Sequence, residues 1–132
     1  KQPTVQVALD LNDEWARAQE GSDAPSMLIT GVVVARSAFI DENPQAVSDF
    51  LDAYKQSVAY ANEHVDETAA LIGQYDIITE EVAKVALPQC AIVYIDGEEM
   101  TQALSGYLQV LYDQNPASVG GALPDEAFYY QR

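Results

Sequence analysis

Met27-Leu28-Ile29-Thr30-Gly31-Val32-Val33-Val34-Ala35-Arg36 is a nearly unbroken apolar run, rich in β-branched residues. A run of this length and composition reads as a strand covered on both faces, and so as a central member of a sheet. Gly31 interrupts it, and a glycine inside such a run marks a bulge, a bend or the close approach of another group. Upstream, Val5-Gln6-Val7-Ala8-Leu9-Asp10-Leu11 alternates apolar and polar residues with a period near two, the pattern of a half-buried strand. Between the two, Asn12 to Ala18 has a cap candidate and early acids, which predicts a short helix, and the polar stretch Glu20 to Ser26 with its glycine and proline predicts a loop.

Downstream the period changes. Asn43 is placed to cap and Pro44 suits a first helical position, and Val47, Phe50, Leu51, Tyr54, Val58 and Ala61 then recur at helical spacing. A long amphipathic helix is expected. Asp66 or Glu67 opens a second helix around Ala69 to Ile72, Thr79 caps a third through Glu80 to Ala86, and Pro88 stops it. Ile92-Val93-Tyr94-Ile95 is short and β-rich, whereas Asp96 with Glu99 makes a capping-box-like start to a helix over Glu98 to Asp113, its core side marked by Met100, Leu104, Leu108 and Leu111. The turn-rich end closes on Phe128-Tyr129-Tyr130, read as an aromatic plug.

The bulk numbers narrow the function. At 132 residues and 48% hydrophobic composition the chain is globular rather than disordered. Twenty-one acidic residues against six lysines and arginines give a net charge of −15, which repels a phosphate backbone and argues against nucleic acid as a partner. No apolar run reaches the roughly 18 residues that span a bilayer. Lys1 is neither a start methionine nor the head of a signal segment, so the chain reads as a fragment or a mature region.

Catalytic chemistry is sparse. Acid pairs such as Glu80-Glu81 and Glu98-Glu99 fall in first helical turns, where they complement the helix dipole. The single histidine, His64, is read as a cap near the end of the long helix, and the single cysteine, Cys90, as a buried spectator. No zinc-ligand spacing, nucleophile elbow, Walker loop or dinucleotide fingerprint occurs, and no metal or cofactor is implied. Tyr54, Tyr60, Tyr75, Tyr94, Tyr107 and Tyr112 are expected to pack inward, and Trp15 to be a half-buried anchor.

Three stretches in order resemble the substrate-binding proteins of ABC importers of the sulfonate, nitrate and thiamine-precursor type: Ala8-Leu9-Asp10-Leu11-Asn12-Asp13-Glu14-Trp15, Thr30-Gly31-Val32-Val33-Val34-Ala35-Arg36 and Phe39-Ile40-Asp41-Glu42-Asn43-Pro44. Ala86-Leu87-Pro88-Gln89-Cys90, Gly97-Glu98-Glu99-Met100, Tyr107 to Tyr112 and Gly120-Gly121-Ala122-Leu123-Pro124 extend the resemblance over nearly the whole chain, in a form similar to that of anaerobic Gram-positive bacteria. The resemblance implies an α/β fold, the C-terminal portion of a two-lobe type II periplasmic-binding architecture, helix-rich with a few strands. Residues 1–26 would end the second lobe, 27–34 would cross between lobes, and 35–132 would form the C-terminal part of the first lobe, its opening strands lying outside this chain. Thr30 and Gly31, a hydroxyl and an unobstructed backbone near that crossing, are the candidate ligand-binding residues.

The function so implied is capture of a small solute and its delivery to the membrane subunits of an ABC permease, outside the cytoplasm, on a Gram-positive surface as a lipoprotein or in a periplasm, with no reaction of its own. The alternative is an enzyme like the thiamine-pyrimidine synthases that share the fold and use a histidine and a cysteine-rich motif, and one histidine with one cysteine argues against it. Unsatisfied strand edges further predict self-association of a chain of this extent.

Overall fold

A computed structural model describes residues 6–22 and 26–132 of the chain. Among these residues six α-helices form: α1 (Leu11–Ala18), α2 (Ser37–Glu42), α3 (Pro44–Glu63), α4 (Val65–Gln74), α5 (Glu80–Ala86) and α6 (Gly97–Gln114), with short 3-10 turns at Leu87–Gln89, Pro116–Val119 and Glu126–Phe128. Helix makes up 64% of the described residues and none of them is in a strand, which overturns the α/β expectation. The physical reason lies in the backbone. Residues 27–35 are extended, but no backbone hydrogen bond joins them to another described residue, so the run has strand composition without a ladder. Val32, Val33 and Val34 are 60%, 53% and 79% exposed, where a central strand would bury them. The described part of the upstream segment, 6–10, and the segment 92–95 are likewise without a ladder.

Two compact units divide the chain, one of residues 1–34 and 95–132, the other of residues 35–94. The second unit holds all five buried hydrophobic residues among those described: Val47, Val58, Ala69, Ala83 and Leu87. Pro44 starts α3 at the position where a missing N–H costs nothing. Asn43, expected as its side-chain cap, instead turns its amide back to donate to the Phe39 carbonyl at 3.1 Å, closing α2. His64 ends α3 and begins α4, its N–H bonded to Tyr60 O at 2.8 Å and its ring stacked on Tyr60 at 4.5 Å.

Helices α4 and α5 pack through Ala69 and Ala83, both fully buried, with Leu87, Val65, Ile72 and Ile92 around them. Two alanines at the contact let the helices approach closely, and Gly73 extends the fit: a Cβ there would lie 3.2 Å from the Glu80 backbone nitrogen. The connecting turn carries Asp76 at φ 53°, a left-handed position that aspartate tolerates better than most residues. Lys84 bridges Glu80 at 2.9 Å and Asp66 at 3.6 Å. Its hydrogen bond to Glu80 is the first cause of an ammonium pKa above the ordinary lysine value, although the group is open to solvent.

Asn62 donates to the Ile92 carbonyl at 2.9 Å and so ties the 91–94 segment to α3, where Tyr94 meets Tyr54 edge-on at 5.8 Å and Lys55 lies over the Tyr94 ring. The inward packing expected of the tyrosines fails at Tyr54, Tyr60 and Tyr75, which are 39%, 44% and 72% exposed. Cys90 is exposed rather than buried.

In the first unit, Asp10 caps α1 by accepting from the Asn12 N–H at 2.9 Å, so the cap precedes the Asn12 to Ala18 stretch in which it was expected. Trp15 is half-buried as expected, donating its indole N–H to Ser26 Oγ at 3.0 Å with its ring 5.3 Å from that of Tyr107 on α6. Met100, Leu104, Leu108 and Leu111 are all half-buried. Past α6, Asn115 accepts from the Ala117 N–H, and Gly120 and Gly121, at φ 81° and 90°, end the turn in a conformation that favours glycine. The C-terminus returns along α6: Gln131 donates to Thr101 Oγ1 at 2.7 Å and Arg132 to Asp96 Oδ2 at 3.0 Å. Asp96 sits at the N-cap as anticipated, but makes no side-chain cap hydrogen bond to its own helix. The aromatic end is only part of a plug, since Phe128 is 57% exposed and lies edge-on to Tyr129.

Two predictions follow from this packing. Ala83→Leu inserts three carbons into a contact with no free space and should cost about 1–3 kcal/mol, read as a lower urea midpoint at unchanged m-value; an unchanged midpoint would show that α4 and α5 do not meet at these alanines. Burial raises the Tyr129 phenol above the ordinary value of 10.0. The folded state therefore holds this proton more tightly than the unfolded state, so the stability it contributes is full below pH 10 and is lost as the pH rises through the folded value. Thermal melts should show Tyr129→Phe flattening the alkaline loss of stability, while an identical alkaline slope would mean the phenol is solvated.

Candidate functional site

Thr30 and Gly31 both lie in the extended 27–35 segment that leads toward α2, and both are exposed. Thr30 makes no hydrogen bond with another described residue, and a Cβ built on Gly31 would meet nothing within 4 Å. Gly31 is not at a positive φ. Its backbone is therefore open to any group that approaches, and glycine is required there neither by a left-handed turn nor by crowding from this chain. What the structure offers at this position is a row of free backbone donors and acceptors with a hydroxyl in the middle.

Each unit also carries a surface groove. In the first, a groove of about 620 Å³ runs between α6 and the returning C-terminal segment. Thr101, Ser105 and Gln109, spaced four apart, form one wall, and Asp125, Glu126 and Tyr129 stand on the other. The sequence reading passed over this polar stripe, whose signal was the same four-residue spacing set one position after Met100, Leu104 and Leu108, on the flank of the leucine face. Much of its polarity is already used: the Thr101 hydroxyl donates to Gly97 O and accepts from Gln131, Ser105 donates to Gln102 O, and the Gln109 amide donates to Asp113. In the second unit, a groove of about 500 Å³ at the α4–α5 turn is lined by Gly73, Asp76, Thr79 and Glu80 among others.

No lysine, arginine or histidine lines either groove. Their acidic side chains are Asp76 and Glu80 in one, the latter paired with Lys84, and Asp125 and Glu126 in the other. Among the described residues no group of three or more His, Cys, Asp or Glu side chains is placed to hold a metal ion. No described helix is long and apolar enough to cross a membrane.

No curated protein and no solved structure matches the chain significantly. A family model does match part of it, the one described as NMT1/THI5 like, over residues 19–68, a stretch that runs from the end of α1 through the exposed Thr30–Gly31 segment and all of α3 into α4. Over those residues the chain is similar to a family of proteins like the substrate-binding components of ABC importers.

Proposed function

We propose that this chain is part of an extracytoplasmic solute-binding protein that captures a small molecule and passes it to the membrane subunits of an ABC importer, without transforming it. The observation that carries this reading is the family match over residues 19–68, which includes Thr30 and Gly31 and the segment that leads from one compact unit to the other. Hinge closure of two lobes around a ligand is the working motion that the family likeness implies. Ligand drives such closure only through contacts made in the closed state, and the open backbone at Gly31 with the hydroxyl of Thr30 offers contacts of that kind.

The polar chemistry supports binding over catalysis. The lone histidine is a structural post between α3 and α4, stacked on Tyr60. The net charge of −15 favours a neutral or cationic solute, such as a pyrimidine-type thiamine precursor, over sulfonate or nitrate.

Calorimetric titration of the protein against sulfonates, nitrate and thiamine-pyrimidine precursors tests this. The expected result is 1:1 binding of micromolar strength or better with the ligand recovered unchanged; chemical conversion of any of these compounds would overturn the binding-protein reading. Gly31→Val should leave the helical signal unchanged, because the new side chain meets no other part of the chain, yet weaken binding about ten-fold by blocking the backbone. Unaltered affinity in that variant would remove Thr30 and Gly31 from the site.

A further inference from the structure

From Val85 to Arg132 the sequence holds one lysine, arginine or histidine, Arg132 itself, against Asp96, Glu98, Glu99, Asp113, Asp125 and Glu126. The Arg132 guanidinium reaches back to the start of α6, its Nε 3.0 Å from Asp96 Oδ2, with the two side chains 27% and 36% exposed. Beside it Gln131 donates to Thr101 Oγ1 at 2.7 Å. We infer that residues 125–132 form an ionic strap: the Arg132–Asp96 pair holds the segment along α6 as the second wall of the groove beside Thr101, Ser105 and Gln109, and loss of that pair frees the strap and opens the groove.

The strap keeps its own shape. The Phe128 N–H donates to Asp125 O, the Tyr129 N–H to Glu126 O, and the Asp125 carboxylate accepts from the Ala127 N–H at 3.1 Å, so this short turn needs nothing from α6. Residues 125–128 are exposed and Tyr129 and Tyr130 half-buried, so apolar burial contributes little to holding the segment down, and the polar contacts at its end carry much of the attachment. Electrostatics sets the sign. Without the Arg132 charge, Asp125 and Glu126 on the strap and Asp96, Glu98 and Glu99 at the start of α6 are carboxylates on both sides of one groove, in a chain of net charge −15. A partly exposed ion pair is worth a small factor and is screened by salt, which makes the strap a reversible closure rather than a fixed wall. Tyr129 and Gln131 line the groove, whose volume of about 620 Å³ is that of a small-solute cleft, and release of the strap withdraws both. The strap belongs to the first unit alone and does not rest on the transport reading.

Chymotryptic cleavage after Tyr129 in the whole protein, followed by mass spectrometry, tests the strap, because the protease cuts the segment only when it has swung free and the rate follows the open population. Each rate is divided by that of the matching peptide of residues 123–132 at the same salt, which removes direct effects on the protease. Arg132→Gln and Asp96→Asn should each speed cleavage about three- to five-fold at low salt, and the double variant should be no faster than either alone. Raising sodium chloride to about 1 M should speed cleavage of the unaltered protein and leave the variants unchanged. Arg17→Gln, which breaks the exposed pair with Glu14 on α1, should not alter the rate. Additive effects of the two substitutions, or a cleavage rate that neither Arg132→Gln nor salt moves, would overturn the inference.

Discussion

A helix satisfies its backbone hydrogen bonds within itself, and a strand must find another strand. That constraint decides what this chain builds. Wherever apolar residues recur at helical spacing, as along α3, α4 and α6, the segment closes its own hydrogen bonds and then needs only modest packing on one side. Where the composition is that of a strand, at 6–10, 27–35 and 92–95, the chain is extended and no ladder forms among the described residues. Ordering in the second unit centres on the alanine contact between α4 and α5, with Leu87 and Ile92 closing its edge.

The helices were legible in the sequence because their signals are local. Pro44 at a first helical position, the acids at Asp66, Glu67, Glu80, Glu81, Glu98 and Glu99 in first turns, and the periodic leucines of α6 each act within one or two turns of themselves. Details of capping were less legible, because a side chain that can cap has other partners: Asn43 turns back to Phe39, and the Asp96 carboxylate takes the Arg132 guanidinium from thirty-six residues away. The sheet was misread for a more general reason. A β-branched run reports that a segment prefers to be paired, and pairing is a property of two segments, which no single segment's composition supplies.

The candidate site shows the same division. Thr30 and Gly31 stand out in the sequence for their chemistry and for their place in a resemblance, and the structure sets them on an open backbone within the first unit. The groove along Thr101, Ser105 and Gln109 is not legible in the sequence, because its opposite wall, Asp125, Glu126 and Tyr129, comes from 16 to 28 positions later. The resemblance seen over most of the chain is matched by the NMT1/THI5-like family model over residues 19–68.

The central claim is that the chain's order resides in two helical units and that its most strand-like stretch has no partner among the described residues. Amide hydrogen exchange, measured at dilution low enough to hold the chain monomeric, tests it most directly. The account predicts slow exchange in α4 and α5, around Ala69 and Ala83, and exchange at unprotected rates from Leu28 to Val34. Protection of that stretch in the monomer as strong as that of α4 would place it in a sheet within the chain and contradict the account.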